Sequence, residues 1–420
     1  MKALKYLLWI LLCLLILVPV LVIDLSPQIS VASGEQVNKA DTVNTLLQQM
    51  RGVFRERDVT HQITVTEAQA QSLAGFIQRA HTKAHVDAAF DQDSAQFQLS
   101  YYLGHLFTDF YLNVEVDLSS GSGIELNRVK VGDLSLPGAV ALPLMSFVVN
   151  QYTKTDVATV AQQWVKSVTI SKDELSIDLA ESAPLFDQLK RIDTGSDEST
   201  YAFRMRVGHY VRMLEALPYP TQSKPSLSYY LRAAMMEART QSKNSNPALE
   251  NEAAILALAI FTGSYRFAHL VGDIGISIKA MPTAPEAPTL STRMDLSLHF
   301  IFSAAIKLLS EQGFSLAVGE FKELMDRGPN GSGYSFRDLA ADMAGAHFAA
   351  LAVDPNRARE VQQIIINNQD EAIFFPKTDG LDEGLDTKAF VSKYQAVDSP
   401  IYQQTVQLIQ SRIEALPISQ

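Results

Sequence analysis

Between Leu7 and Ile23 the chain reads LLWILLCLLILVPVLVI, about seventeen residues without a charge. Such a run is too apolar for a surface helix, and as a helix it is just long enough to cross the hydrocarbon of a bilayer. Lys2 and Lys5 stand before it and Asp24 after it, which predicts a cytoplasmic N-terminus and an exported body. Trp9, near one end, suits an interfacial anchor. The competing reading is a cleaved secretory leader, with Ser30–Ser33 (SVAS) as its small-residue site. The run is longer than a usual leader core and that site lies far from it. The expectation is therefore an uncleaved single-pass anchor with the body exported.

Cys13 is the only cysteine, and it lies inside the apolar run. An intrachain disulfide, thiol catalysis and cysteine–metal sites are thereby excluded. Leu11 and Leu12 precede it where lipoprotein processing needs small residues, so Cys13 reads as a membrane-buried side chain. The net charge of -11 and the lack of a basic cluster after residue 10 argue against a nucleic-acid partner. With 420 residues, 47% of them hydrophobic, the chain has material for two cored domains.

The patterning divides it further. Residues 1–33 hold the anchor and the start of a stalk, and 34–59 continue as a polar stalk that turns helical around DTVNTLLQQMRGVF. Residues 60–192 read as an α+β domain with a mostly antiparallel sheet. In this stretch THQITVTEAQAQSLAGFIQRA is a strand followed by a helix capped at Thr66. Phe110, Leu112, Val114, Val116 and Leu118 alternate with Tyr111, Asn113, Glu115 and Asp117, the period of a half-buried strand. AVALPLMSFVVNQY and DVATVAQQWVKSV read as helices, and VTISKDELSIDL as a strand pair. Asp193–Thr200 is a linker. Residues 201–420 read as an all-α domain, with LENEAAILALAIFTGSYRFAHLV and LSLHFIFSAAIKLLSEQ as buried helices and KAMPTAPEAPTLST as an exposed crossover.

One stretch of the helical domain carries most of the chemistry. GEFKELMDRGPNGSGYSFRDLAADMAGAHF (Gly319–Phe348) reads as helix, glycine loop, helix. Ser335 and Asp338 fit a capping box at the second helix. Asp342 lies past any cap among apolar neighbours. His299 on the preceding helix is flanked by Leu298 and Phe300, four residues after Asp295. A buried carboxylate must be paired, metal-bound or protonated. Three readings stay open. Lys322, Arg327 and Arg337 neutralise the acids in a structural network. His299, Glu323 and Asp342 bind a divalent metal, with Asp326 beside them, although no zinc signature is present. Or the loop with Gly331 and Gly333 cradles an anion at a helix start, although no Walker A lysine follows. Elsewhere, His81 and His85 read as an exposed helix end, and GLDEGLDTKAF as an acidic loop without calcium-loop order.

Lys322, Glu323, Asp326, Gly331, Gly333, Ser335, Asp338, Leu339, Asp342 and Gly345 spell K-E-x-x-D, a glycine-rich loop, then S-x-x-D-L-x-x-D-x-x-G. This resembles the YfiM-like family of uncharacterised bacterial periplasmic lipoproteins. More distantly, with His299 upstream, it is similar to VanZ-like membrane proteins. The resemblance spans about residues 292–350. It implies an envelope setting and no settled reaction. The chain departs from it in lacking a lipoprotein cysteine and in carrying a large N-terminal domain.

The expectation that follows is a membrane-anchored envelope protein acting as a binding or scaffolding module rather than an enzyme, with no catalytic residue assigned. The candidate cluster is His299, Lys322, Glu323, Asp326, Ser335, Asp338 and Asp342. The expected partners are the inner membrane and a lipid or envelope protein. No cofactor is expected unless a divalent metal occupies the cluster. The alternatives are a metal-dependent hydrolase of an envelope substrate, and a lipid carrier using the N-terminal domain.

Overall fold

A computed structural model of the chain describes residues 19–29, 36–105, 107–191, 198–220, 224–309, 322 and 331–420. Most of the Leu7–Ile23 run lies outside them, and among them no helix is long and apolar enough to cross a membrane. The architecture mixes helices with antiparallel sheets, in two compact units, Met1–Thr194 and Gly195–Gln420.

In the first unit the period-two segments pair in chain order. Strands β3 (Ala84–Phe90), β4 (Ser94–His105), β5 (Asp109–Ser119), β6 (Glu125–Val131) and β7 (Leu134–Pro137) form an antiparallel meander. The short β1 (Ile23–Asp24) is added on β5. A second sheet has the order β2 (His61–Thr66), β9 (Glu174–Leu179), β8 (Val165–Ile170). Among its links to the meander is the Gly121–Val168 bridge, with N···O distances of 2.9 and 3.0 Å.

Thr66 and Gln69 cap helix Glu67–Ala80 reciprocally, the two-way bonding of a capping box. Asn113, on the expected polar face of β5, is in fact buried. It accepts from the Ser100 hydroxyl (2.6 Å) and donates to Asp24 Oδ2 (2.6 Å). The chain leaving the apolar run covers it.

Three expectations need correction here. Residues 36–55 are not a stalk. Val37, Ala40 and Val43, three apart, are fully buried, and Leu46 and Val53 of helix Val43–Arg55 pack with Ile63 and Leu179. Apolar residues at that spacing line one helix face, and burying it ties the segment into the unit's core. The helix read through DVATVAQQWVKSV stops at Trp164, because Val165, Val168 and Ile170 are β-branched and pair along β9. His81 ends a helix while His85 already lies in β3, so the two do not share a helix face.

The second unit, among its described residues, has helices and isolated bridges but no strand. The helix Pro247–Leu258 is apolar nearly all round and buried accordingly. Its two fully buried polar residues, Glu250 and Asn251, are matched. Glu250 accepts from the Tyr210 hydroxyl (2.7 Å) and from Arg206 Nε (2.8 Å). Asn251 Nδ2 donates to the Ala352 and Ala358 carbonyls. The apolar stretch does not run on as one helix. It widens into a π turn at Ala259–Gly263 and resumes only at Phe267–Val271. Gly263 sits against the Phe302 ring, where a side chain would collide. The proline-rich crossover is also less exposed than its composition suggests. Thr289 bonds to Pro225 and Leu227 through its backbone, and Leu290 is fully buried.

Two helices of this unit position the candidate site: Met294–Leu309, hereafter α1, and Phe336–Val353, hereafter α2. Ala304 and Ala305 on α1, with Ala340, Ala341 and Ala344 on α2, are all buried. Gly345 meets the backbone of Phe300, leaving no room for a side chain. Small residues let the two helices approach closely, which brings their polar side chains within bonding distance.

Candidate binding site

His299 and Asp342 face each other across the α1–α2 contact. His299 Nδ1 lies 3.1 and 3.2 Å from the two Asp342 carboxylate oxygens. The Ser303 hydroxyl, one turn along α1 from His299, donates to Asp342 Oδ1 at 2.7 Å. Asp342 is only 3% exposed, so these bonds satisfy a carboxylate that would otherwise be costly to bury. Lys322 Nζ stands 3.1 Å from His299 Nε2. In the neutral imidazole, Nδ1–H therefore donates to Asp342 and Nε2 accepts from Lys322.

Ser335 caps α2, its hydroxyl accepting from the Asp338 backbone N–H at 3.1 Å. The capping box is half made, because the Asp338 carboxylate turns inward instead. One of its oxygens is 3.7 Å from His299 Nε2. The other, Oδ1, is buried without a hydrogen bond, 3.5 Å from Arg293. Arg293 is engaged elsewhere, donating to Asp295 (2.5 and 3.1 Å) and Glu383 (2.5 Å).

His299, Ser303, Lys322 and Asp342 line a cavity of about 340 Å³. Leu298, Phe302 and Ile306 give it an apolar wall along α1, and Asp295, His299, Ser303, Lys322 and Asp342 close the rest.

The electrostatics follow from this placement. Burial alone pulls the His299 pKa down, but the hydrogen bond and charge of Asp342 outweigh it, with Asp338 adding to them. The imidazole is held above its ordinary 6.5 although Lys322 opposes. Asp338 is raised above its ordinary 3.8, chiefly by burial, with the His299 and Lys322 charges pulling the other way. Both groups therefore hold protons more tightly folded than unfolded. Such a contribution is full below the unfolded pKa and is lost as pH rises through the folded one. For His299 the loss begins at about 6.5 and continues upward. The stability of the second unit should fall across this window, and His299→Gln should flatten that slope. Urea midpoints measured from pH 6 to pH 9 check it.

Of the residues singled out in sequence, the structure joins His299, Lys322, Asp338 and Asp342, with Ser335 at the cap. Glu323, Asp326 and Arg327 lie outside the described residues. Arg337 does not join the cluster; it pairs with Glu383 at 3.0 Å, as Arg293 does, so two arginines share one carboxylate of the acidic GLDEGLDTKAF loop. Gly331 and Gly333 belong to a loop strapped to that one. Tyr334 N donates to the Leu385 carbonyl at 2.7 Å, and Gly333, at φ +84°, presses on the Gly384 backbone. Ser303, Arg293 and the apolar wall were missed in sequence. Ser303 was findable, because it stands four residues after His299 and so on the same helix face. Among the described residues no three His, Cys, Asp or Glu side chains are arranged to hold a metal ion. Compared with protein-family models, curated proteins and solved structures, the chain matches none.

Proposed function

We propose that this is a single-pass inner-membrane protein with its body in the periplasm, and that its helical domain binds an amphipathic ligand in the His299 cavity. In this reading residues 1–33 contain the anchor helix, 60–192 an α+β domain and 201–420 the helical domain. The observation that carries it is the cavity's lining, an apolar stripe of Leu298, Phe302 and Ile306 beside the polar groups Asp295, His299, Ser303, Lys322 and Asp342. A concave, mostly apolar site with a few converging polar groups and shifted pKa values is the usual form of a small-molecule pocket. The Leu298, Phe302 and Ile306 wall takes the apolar body. Lys322 Nζ donates to an acceptor or anionic head. Asp342 fixes the imidazole in place from behind.

The test is thermal melting of the full chain in detergent with a medium-chain fatty acid. The wild type should gain several degrees and Ile306→Glu, which puts a charge on the apolar wall, should gain none. Equal shifts in both would overturn the assignment of the pocket.

Acid–base chemistry is the second reading, favoured by the Asp342–His299 bond. A carboxylate on Nδ1 sets the tautomer that leaves Nε2 able to take a proton. A metal-dependent hydrolase fits less well. Both His299 nitrogens are engaged, and a lysine ammonium 3.1 Å from Nε2 repels a cation. Lipid carriage by the first unit has one support, a cavity of about 310 Å³ lined almost wholly by apolar side chains, among them Leu73, Ile77, Phe90 and Phe97.

A further inference from the structure

The helix Gly138–Thr153 of the first unit is out of place on a water-facing surface. Its sixteen residues, GAVALPLMSFVVNQYT, carry no charge, and only Gly138 and Ala141 are buried. Val140, Leu144, Met145, Phe147, Val148 and Tyr152 are between 46% and 88% exposed. A helix apolar over most of its circumference is normally covered, and a contiguous exposed apolar patch of this kind marks a contact with protein or lipid. One of its polar residues, Asn150, is already used within the unit. Asn150 Nδ2 donates to Thr159 Oγ1 (2.8 Å) and Asn150 Oδ1 accepts from the Ala158 backbone N–H (2.8 Å). The apolar side faces away from these bonds.

The same hairpin that carries this helix also grips the chain emerging from the Leu7–Ile23 run. At the β6–β7 turn, Asp133 N donates to the Leu21 carbonyl (2.6 Å), and Gly132, at φ +58°, lies against the Leu21 and Val22 backbone. Asp24, Gln28 and Ile29 are then pinned to Asn113 and Ser100. From that turn β7 runs four residues to Pro137, and the helix begins at once, with Gly138 pressed on the Leu126 carbonyl of β6. Four strand residues span about 13 Å. The end of the apolar run and the start of the exposed helix are thus held on one short, hydrogen-bonded hairpin.

We infer that the exposed face of Gly138–Thr153 sits in the membrane surface, inserted among the lipid headgroups and upper acyl chains beside the anchor. This rests on the anchor reading proposed above. With the anchor in the bilayer, its end lies at the interface, and the hairpin brings the uncharged helix to the same level. Apolar side chains at that depth leave water, and Tyr152 places its hydroxyl among the headgroups.

The test uses the full chain in vesicles of phosphatidylethanolamine and phosphatidylglycerol. Cys13→Ser provides a background for a single spin label at Phe147→Cys or, as a control, at Lys172→Cys in the exposed β8–β9 turn. The label at 147 should collide more with oxygen than with a water-soluble nickel chelate, and the label at 172 the reverse. A protein that floats with the vesicles while 147 stays open to the nickel chelate overturns the inference and leaves the anchor standing. A 147 label shielded from both agents also overturns it and assigns the face to protein. Failure to float overturns the anchor reading itself, and this inference with it.

Discussion

Asp342→Ala should destabilise the second unit by about 3 kcal/mol. The carboxylate accepts from Ser303 and from His299 in a buried place, and charged hydrogen bonds contribute about 1.5–3 kcal/mol each. His299 recovers part of the loss by giving up its proton, because its raised pKa depends on Asp342. Asp342→Asn keeps the shape and an acceptor for Ser303, so it should cost less. Urea unfolding of the full chain, followed by a probe in the second unit, gives the values. His299→Ala combined with Asp342→Ala should cost at least 1 kcal/mol less than the sum of the two single changes, as contacting residues do. Additive losses would mean that the two groups do not interact.

Gly345→Ala should destabilise as well, by about 1–3 kcal/mol, against the direction helix propensity gives. On an exposed helix this change gains about 1 kcal/mol. Here the new methyl runs into the Phe300 carbonyl oxygen, and a backbone atom inside a packed helix cannot rotate out of the way. Relief requires α1 and α2 to move apart, which loosens the His299–Asp342 contact too. Gly345→Leu should prevent the helices from packing. A higher urea midpoint for Gly345→Ala would contradict the close approach on which the site geometry depends.

These two positions also mark what the sequence made legible. His299 and Asp342 are polar residues set among apolar neighbours on apolar helices, a pattern that implies burial with a partner. Their meeting follows because α1 and α2 are both rich in small residues. Local signals read well where one short-range rule decides. The existence of the β5 strand is such a case, and so is the Thr66 cap. Long-range choices did not read. Nothing near Arg293 or Arg337 in sequence marks Glu383 as their shared partner, because that pairing depends on how two loops are strapped together. The capping-box pattern at Ser335 was right about the backbone and wrong about the Asp338 side chain, which a tertiary partner draws away. The 36–55 segment looked like a stalk because its polar residues dominate the composition, while its three-residue apolar spacing carries the packing.

The measurement that bears most directly on ligand binding is a native mass spectrum of the full chain released gently from detergent, wild type beside Ile306→Glu. The account predicts a fraction of wild-type molecules carrying one extra small molecule, apolar-tailed with an acidic or hydrogen-bonding head. It predicts that fraction to disappear in the variant while the fold remains. Bare wild-type protein, with no adduct restored by added fatty acid, would contradict it and leave the His299–Asp342–Lys322 cluster as a fastening between helices.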